Sequence, residues 1–199
     1  MAKELLIIFV KNIKLGKVKT RLAKTVGNEN AFTIYKALVK VTENATLKLS
    51  QDIRVYFSDA IVEEKWPNNF KTVQKGSDLG ERMSNAFQDG FDDGYTEIVL
   101  IGSDLPNISK TVINKGFMSL KQSSVVFGPA EDGGYYLVGM SKLQNCIFED
   151  KAWSTSNLLD ETLLELKQKK IKVSLIESLN DIDTFEDLED YPEFLKLIS

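Results

Sequence analysis

The stretch Ile98-Val99-Leu100-Ile101-Gly102-Ser103-Asp104-Leu105-Pro106 decides how the rest of the chain reads. Four apolar residues follow one another without polar alternation, the pattern of a strand covered on both faces in a parallel sheet. Gly102 and Ser103 make a narrow exit, and Pro106, which has no N–H, stops further pairing. Asp104 therefore stands just past the carboxyl end of a central strand, where open α/β sheets bind their ligands. A carboxylate in that crevice can hold a divalent cation, and only such a shared cation relieves its repulsion with a diphosphate. The plain alternative is an aspartate that caps a helix or sits in an exposed turn.

Upstream, Leu5-Leu6-Ile7-Ile8-Phe9-Val10 is a second uninterrupted apolar run and predicts the first strand over 5–10. It leads to the basic turn Gly16-Lys17-Val18-Lys19-Thr20-Arg21. Ala31, Tyr35, Leu38, Val41 and Ala45 recur at helical spacing and predict an amphipathic helix over about 29–49. Ile53–Phe57 and a short run at Thr72-Val73-Gln74 read as strands. Gly76-Ser77-Asp78-Leu79-Gly80-Glu81-Arg82-Met83 then enters a helix carrying Met83, Phe87 and Phe91. Downstream come a helix over Ser109–Lys121 and strands over 124–127 and 135–140, flanking the loop Gly128–Gly134. A helix over 156–169, a strand over 171–176 and a helical tail from Thr184 complete the chain. Strand and helix alternate almost throughout, which predicts one α/β domain over 1–199 with a mostly parallel sheet.

Composition narrows the chemistry. With 199 residues, 43% hydrophobic and 27% charged, the chain can bury a full core. A net charge of -4 argues against nucleic acid, whose phosphate backbone needs a broad basic face. The cations near residues 11–24 form a local cluster, better suited to a small anion. The chain has no histidine, which excludes an imidazole base, a Ser-His-Asp triad and His-ligated zinc. A metal must then take oxygen ligands, which favours Mg2+ or Mn2+. The single cysteine, Cys146, excludes an internal disulfide, fits a reducing cytoplasm, and reads as a small core residue. The first apolar run is too short to span a membrane. We expect a cytoplasmic protein with neither nucleic-acid nor membrane partners.

Four segments carry the candidate chemistry. In the basic turn, Gly16 allows close backbone approach, and Lys19 and Arg21 can converge on phosphate oxygens. A helix starting near Thr20–Leu22 would add its free amides. The alternative is a solvated basic turn, and no Walker pattern is present. Around Asp104, Ser103 is the small neighbour at the strand exit. In Gly128-Pro129-Ala130-Glu131-Asp132-Gly133-Gly134-Tyr135-Tyr136, the glycines could bring backbone amides to an acceptor and the tyrosines could stack on a sugar or base. Asp132 there could bind a sugar hydroxyl, assist a metal or act as a base. A Gly-Gly turn with core aromatics is the competing reading. Asp181-Ile182-Asp183 points both carboxylates the same way, which suits a shared metal, while Asp183-Thr184-x-Glu186 equally resembles a capping box. Trp153 lines the acceptor side or is a core tryptophan.

Val10-Lys11, Leu15–Leu22, Gly76–Met83, Ile101–Pro106, Gly128–Tyr136 and Asp181-Ile182-Asp183-Thr184 occur in one order. In this the chain resembles the bacterial rSAM/selenodomain-associated, or arsenosugar-biosynthesis, glycosyltransferases of the nucleotide-diphospho-sugar transferase superfamily. The resemblance implies a GT-A-like, Rossmann-like three-layer α/β/α sandwich with a mixed, mostly parallel sheet, related to phospholactate guanylyltransferase and the molybdenum-cofactor nucleotidyltransferases. It implies nucleotide binding by Lys11, Gly16, Lys19, Arg21, Asp78, Arg82 and Ser103, metal binding by Asp104 with Asp181 or Asp183, and catalytic roles for Asp104, Asp132 and Lys19. Glu131, Gly133, Gly134, Tyr135 and Trp153 would face the acceptor. Two positions depart from the pattern. Gly102 stands where an Asp-x-Asp motif has its first acid, and Leu15 replaces the usual proline before the basic loop. The expected reaction is metal-dependent transfer of a sugar from a nucleoside-diphosphate-sugar to a small-molecule acceptor. Transfer of NMP from an NTP to a phosphorylated small molecule is the alternative, and a non-catalytic nucleotide-binding protein is a third reading. The oligomeric state, including a homodimer, stays open.

Overall fold

The structure, a computed structural model, describes residues 3–198. β1 (Glu4–Val10) is buried from Leu5 onward, as its unbroken apolar run requires. A basic loop leads into α1 (Thr20–Val26) and α2 (Asn28–Thr46), and then β2 (Asp52–Phe57), β3 (Phe70–Val73) and α3 (Leu79–Asp92) follow. β4 (Glu97–Gly102) ends at the predicted exit, after which come α4 (Lys110–Leu120), β5 (Val125–Pro129) and β6 (Tyr135–Met140). The sequence pattern missed a 3-10 turn at Asn145–Ile147. α5 (Leu158–Gln168), β7 (Val173–Leu175), α6 (Phe185–Glu189) and α7 (Pro192–Leu195) complete the chain.

The strands form one seven-stranded sheet in the order β3-β2-β1-β4-β6-β5-β7. β6 runs antiparallel to both β4 and β5, whereas every other pairing is parallel. One face packs Tyr35, Val39, Ile113 and Phe117 from α2 and α4 against Ile8, Val99 and Leu137. The other packs Met83, Phe87, Leu159 and Leu166 from α3 and α5 against Ile7, Leu100 and Val138. A third cluster joins Leu22, Ile34 and Leu38 to Ile182, Leu188 and Phe194, fastening the C-terminal segment to α1 and α2. The chain is thus a single α/β sandwich with a mixed, mostly parallel sheet. No helix among the described residues is long and apolar enough to cross a membrane.

One irregularity re-aims side chains near the ligand end. Gly128 pairs with Leu137 and Pro129 with Tyr135, so Tyr136 is the extra residue of a β-bulge. Tyr136 and Leu137 consequently both join the α2/α4 face. Its ring lies over Gly128, where a Cβ would meet Tyr136 Cζ at 2.4 Å.

Gly139 is a packing glycine of a different kind. A Cβ there would sit 2.8 Å from Val126 Cγ1, 2.9 Å from Val99 Cγ2 and 3.1 Å from the Ile98 carbonyl. Two β-branched side chains and a backbone atom cannot yield cheaply. Gly139→Ala should destabilise the protein by about 1–3 kcal/mol, lowering its Tm by roughly 2–4 °C per kcal/mol. Gly116→Ala in α4 meets nothing nearer than Leu137 Cδ1 at 3.3 Å, and with the helix preference of alanine it should not lower the melting temperature. Equal melting curves for the two variants would contradict this packing account.

Candidate active site

The strand order reverses at β1, whose neighbours are β2 on one side and β4 on the other. Ligands of open α/β sheets bind at such a switch point, beyond the carboxyl ends. The register sets Phe9 beside Gly102, so Lys11 and Asp104 emerge side by side. Tyr35 of α2 joins the two exits: its hydroxyl donates to the Lys11 carbonyl at 2.9 Å and lies 3.3 Å from Ser103 Oγ. Burial, followed by the nearby Asp104 charge, pushes the Tyr35 phenol up to about 12. Asn12 fastens the same loop, with its Oδ1 accepting from the Asp59 amide at 2.8 Å and its Nδ2 donating to the Ala60 carbonyl at 2.7 Å. Sequence reasoning passed over both residues. The sequence pattern marks Tyr35 only as one more apolar position of a helix, and nothing in it singles out Asn12.

Lys19 is the centre of the site. It is the N-cap of α1, in the left-handed region with φ 44° and ψ 51°, a conformation that costs a non-glycine residue about 1–3 kcal/mol. Its side chain is only 4% exposed, and its Nζ donates to Asp104 Oδ2 at 2.9 Å and to Asp181 Oδ2 at 3.0 Å. Burial alone would lower the ammonium, but the two carboxylates outweigh it and hold it above the ordinary lysine range. Burial pushes Asp104 up, yet the Lys19 charge more than offsets it and keeps Asp104 below the ordinary carboxylate range. Asp181 is held above that range, chiefly by burial with Asp104 adding to it, because Lys19 only partly compensates. Two residues on, Arg21 pairs with Asp183 Oδ2 at 3.0 Å across a more open surface.

Around this ion cluster lie three adjoining compartments. A cleft of about 610 Å³ is lined by Lys11, Lys19, Arg21, Arg82, Ser103 and Asp104, with Ser58 and Gln74 on its far wall. A smaller cavity of about 210 Å³ is walled by Phe9, Leu79, Met83, Leu100 and Val138. A third, of about 350 Å³, is acidic, lined by Glu131, Asp132, Asp181, Asp183 and Asp187, with Arg21 at its edge. Asp132 and Asp181 border all three. Every cation of the site lies on the first compartment's wall.

Several expected residues have other tasks. Asp78 is the N-cap of α3, accepting from the Glu81 amide at 2.9 Å, and is not among the residues lining the cleft. Arg82 does line it, with its Nε anchored on the Gly76 carbonyl at 3.0 Å. Gly16 serves its turn through a φ of +73°. The Gly133 and Gly134 amides, expected to reach an acceptor, are already engaged: one donates to the Ala130 carbonyl at 3.2 Å, the other to Asp132 Oδ1 at 2.9 Å. Gly133 is required because a Cβ would lie 1.9 Å from the Ser156 carbonyl oxygen. This turn holds the exposed Asp132 in place, with Glu131 beside it. Tyr135 borders the small cavity, but its ring packs 5.0 Å from Phe127 and its hydroxyl is buried without a hydrogen-bond partner. Trp153 packs over Gly80 against the α3/α5 core and lines none of the three compartments; Ser154 faces the cleft instead. The capping box exists one residue later than expected, between Thr184 and Asp187 rather than Asp183 and Glu186.

Gly102, where a first acid would stand, is explained by contact. A Cβ there would already press on Asp104 Oδ1 at 3.1 Å. The second carboxylate arrives instead from Asp181. Among the described residues no group of three or more Asp, Glu, Cys or His could cage a metal ion. The pair Asp104 and Asp181 nonetheless converges on one cationic point, here the Lys19 ammonium. Two carboxylates facing a cleft that also carries Lys11, Arg21 and Arg82 fit Mg2+ or Mn2+, which usually keep waters and take phosphate oxygens as further ligands.

The strand order and topology are those of a fold shared by nucleotide-diphospho-sugar transferases and cytidylyltransferases. Residues 41–155 match the family described as "Uncharacterized protein conserved in bacteria (DUF2064)", and the chain belongs to that family. A crystal structure of a candidate nucleotide-diphospho-sugar transferase from Desulfovibrio desulfuricans G20 is similar, with 34% identity and a TM-score of 0.88 over 94% of this chain and 85% of that one. CMP:2-keto-3-deoxy-manno-octonic acid synthetase complexed with CTP shares the fold at 11% identity and a TM-score of 0.62, covering 98% and 99% of the two chains. The 4-diphosphocytidyl-2C-methyl-D-erythritol synthase from Anaerococcus prevotii DSM 20548 does so at 14% identity and the same score of 0.62, again over 98% and 99%. Among proteins of curated function, none matches this chain.

The ion cluster sets a pH dependence. In Lys19→Met the cation that lowers both carboxyls is gone, so both titrate higher in the folded state. A carboxyl with a raised folded pKa adds stability at low pH and loses it as pH rises through that value. The variant should therefore be most destabilised near pH 7. Its deficit there should be about 2 kcal/mol, between the values for exposed and buried pairs because both carboxylates are about a third exposed. The deficit should shrink on moving to pH 4.5. Thermal melts of both proteins at the two pH values measure it, and a constant difference would contradict the assignment.

Proposed function

We propose that this protein is a metal-dependent glycosyltransferase that moves a sugar from a nucleoside-diphosphate-sugar to an uncharged small-molecule acceptor. The observation that carries this reading is the division of charge around Asp104. Lys11, Lys19, Arg21 and Arg82 line the large cleft opposite Asp104, Asp132, Asp181 and Asp183, and a diphosphate would lie on those cations, while the neighbouring compartments offer apolar walls and carboxylates with Arg21 at one edge. A phosphorylated acceptor would meet Glu131, Asp132 and Asp183, whereas a hydroxyl-bearing one finds an acceptor for its proton. The motif order shared with the rSAM/selenodomain-associated glycosyltransferases supports the same choice. The lone cysteine favours a cytoplasmic setting.

In this reading the cations of the cleft bind and orient the diphosphate, stabilising the charge that grows on it as the bond to the sugar breaks. Asp104 and Asp181 would hold Mg2+ or Mn2+, which supplies further neutralisation of the leaving phosphates. Asp132, steadied by the Gly134 amide, takes the proton as the acceptor oxygen bonds to the sugar carbon. The products are the glycosylated acceptor and a nucleoside diphosphate. A second reading is favoured by the basic loop after β1 and by the CTP-dependent enzymes that share the fold. In it an acceptor phosphate attacks the α-phosphorus of a nucleoside triphosphate and pyrophosphate leaves.

Calorimetry of nucleoside triphosphates and nucleoside-diphosphate-sugars, with and without Mg2+ or Mn2+, separates the two. We expect metal-dependent binding of one diphospho-sugar, at least tenfold weaker in Asp104→Asn. Tighter triphosphate binding with pyrophosphate release would favour the second reading, and silence across the series would count against both. Asp132→Asn should slow turnover of the bound donor by about 10²-fold or more while leaving donor affinity unchanged; a matching loss of affinity would remove Asp132 from the acceptor side.

A further inference from the structure

Lys19 ties up the two carboxylates that the proposed function gives to the divalent cation. Its ammonium lies 2.9 Å from Asp104 Oδ2 and 3.0 Å from Asp181 Oδ2, so all three charges meet at one point. A dication and an ammonium cannot both occupy it, since like charges at that spacing repel strongly. The carboxylates must therefore choose. Two features make Lys19 able to leave. Its backbone sits in the left-handed region at the N-cap of α1, a conformation maintained by its surroundings rather than by its own preference. Its side chain also lines the cleft shared with Lys11, Arg21 and Arg82, so entering phosphate oxygens offer the ammonium new acceptors.

We propose that Lys19 is an exchangeable internal cation. It fills the metal position between Asp104 and Asp181 while the cleft is empty, and phosphates draw it out, so that the metal binds tightly only together with the nucleotide. The idea rests on Asp104 and Asp181 being the metal residues of the proposed function. Arg21 repeats the arrangement on Asp183 at 3.0 Å, so Lys19 and Arg21 both stand on acids until a diphosphate arrives. The consequence is ordered assembly: by reciprocity, whatever the nucleotide adds to metal affinity, the metal adds to nucleotide affinity. A free enzyme with Lys19 in place would carry little metal at concentrations that saturate the ternary complex.

Water-proton relaxation enhancement by Mn2+ tests this on the intact chain without any turnover. Wild type, Lys19→Met and Lys19→Gln are titrated alone and with whichever of UDP, GDP, CDP or ADP binds tightest, after melting curves establish that each variant is folded. Lys19→Gln keeps the stem and a hydrogen bond to a carboxylate, and carries the comparison should Lys19→Met unfold. Without nucleotide, the folded variants should bind Mn2+ at least tenfold more tightly than wild type, and wild type should gain a similar factor when the diphosphate is added. Equal affinity of wild type and variants without nucleotide overturns the exchange, while loss of binding in Asp104→Asn would still leave the metal reading standing. Mn2+ bound by none of the proteins, even with the diphosphate, overturns the exchange and the metal reading together.

Discussion

Three charges from distant parts of the chain meet at a single point: the Lys19 ammonium, the Asp104 carboxylate and the Asp181 carboxylate. Most of the architecture can be understood as the means of bringing them there. Lys19 follows β1 and Asp104 follows β4, and these strands are neighbours at the place where the sheet changes direction. Asp181 has further to come, because β7 is the last strand at the opposite edge. The segment after β7 must cross the carboxyl end of β5 and the amino end of the antiparallel β6. It is held on that path by the Ile176 amide on the Phe127 carbonyl, the Leu179 amide on the Pro129 carbonyl, and the Tyr136 hydroxyl on the Glu177 carbonyl. Ile182, fully buried with Leu22, Ile34 and Leu38, fixes the far end.

This path explains features that look functional but are architectural. The bulge at Tyr136 turns its hydroxyl toward the crossing segment instead of toward a ligand. The glycines of the Gly128–Gly134 loop accommodate the Tyr136 ring and the Ser156 backbone, and their amides hold the loop closed. Their product is Asp132, an exposed carboxylate fixed at the junction of three compartments. A ligand-like sequence here encodes the support for one exposed carboxylate.

The sheet, its helices and Asp104 were legible because each depends on local pattern: uninterrupted apolar runs, helical spacing and a proline after a small-residue exit. Partner choice was not. Asp181 and Asp183 have the same strand parity, so sequence alone could not say which would join Asp104. The structure resolves it by a matched step: Lys19 and Arg21 are two residues apart, as are the two acids, and they pair in order, 19 with 181 and 21 with 183. Asp78 shows a related ambiguity, since an acid before a helix reads alike whether it caps that helix, as Asp78 does, or faces a ligand. Trp153 shows the limit for aromatics, whose burial depends on a long-range neighbour, here Gly80.

The distribution of charge also gives the site a direction. The compartment under the loop after β1 carries Lys11, Lys19, Arg21 and Arg82, whereas acids dominate the one under the segment after β7, with Arg21 at its edge. Any transfer across Asp104 and Asp181 that releases an anion on the first side and a proton on the second runs with this gradient. One that brings a second phosphate in from the acidic side runs against it. Arg21 is the single cation bordering both compartments, and its pairing with Asp183 removes part of its attraction for an incoming anion. The same ion pair that ties α1 to the segment after β7 therefore leaves the acidic compartment, among the described residues, without a free cation of its own to draw an anion in.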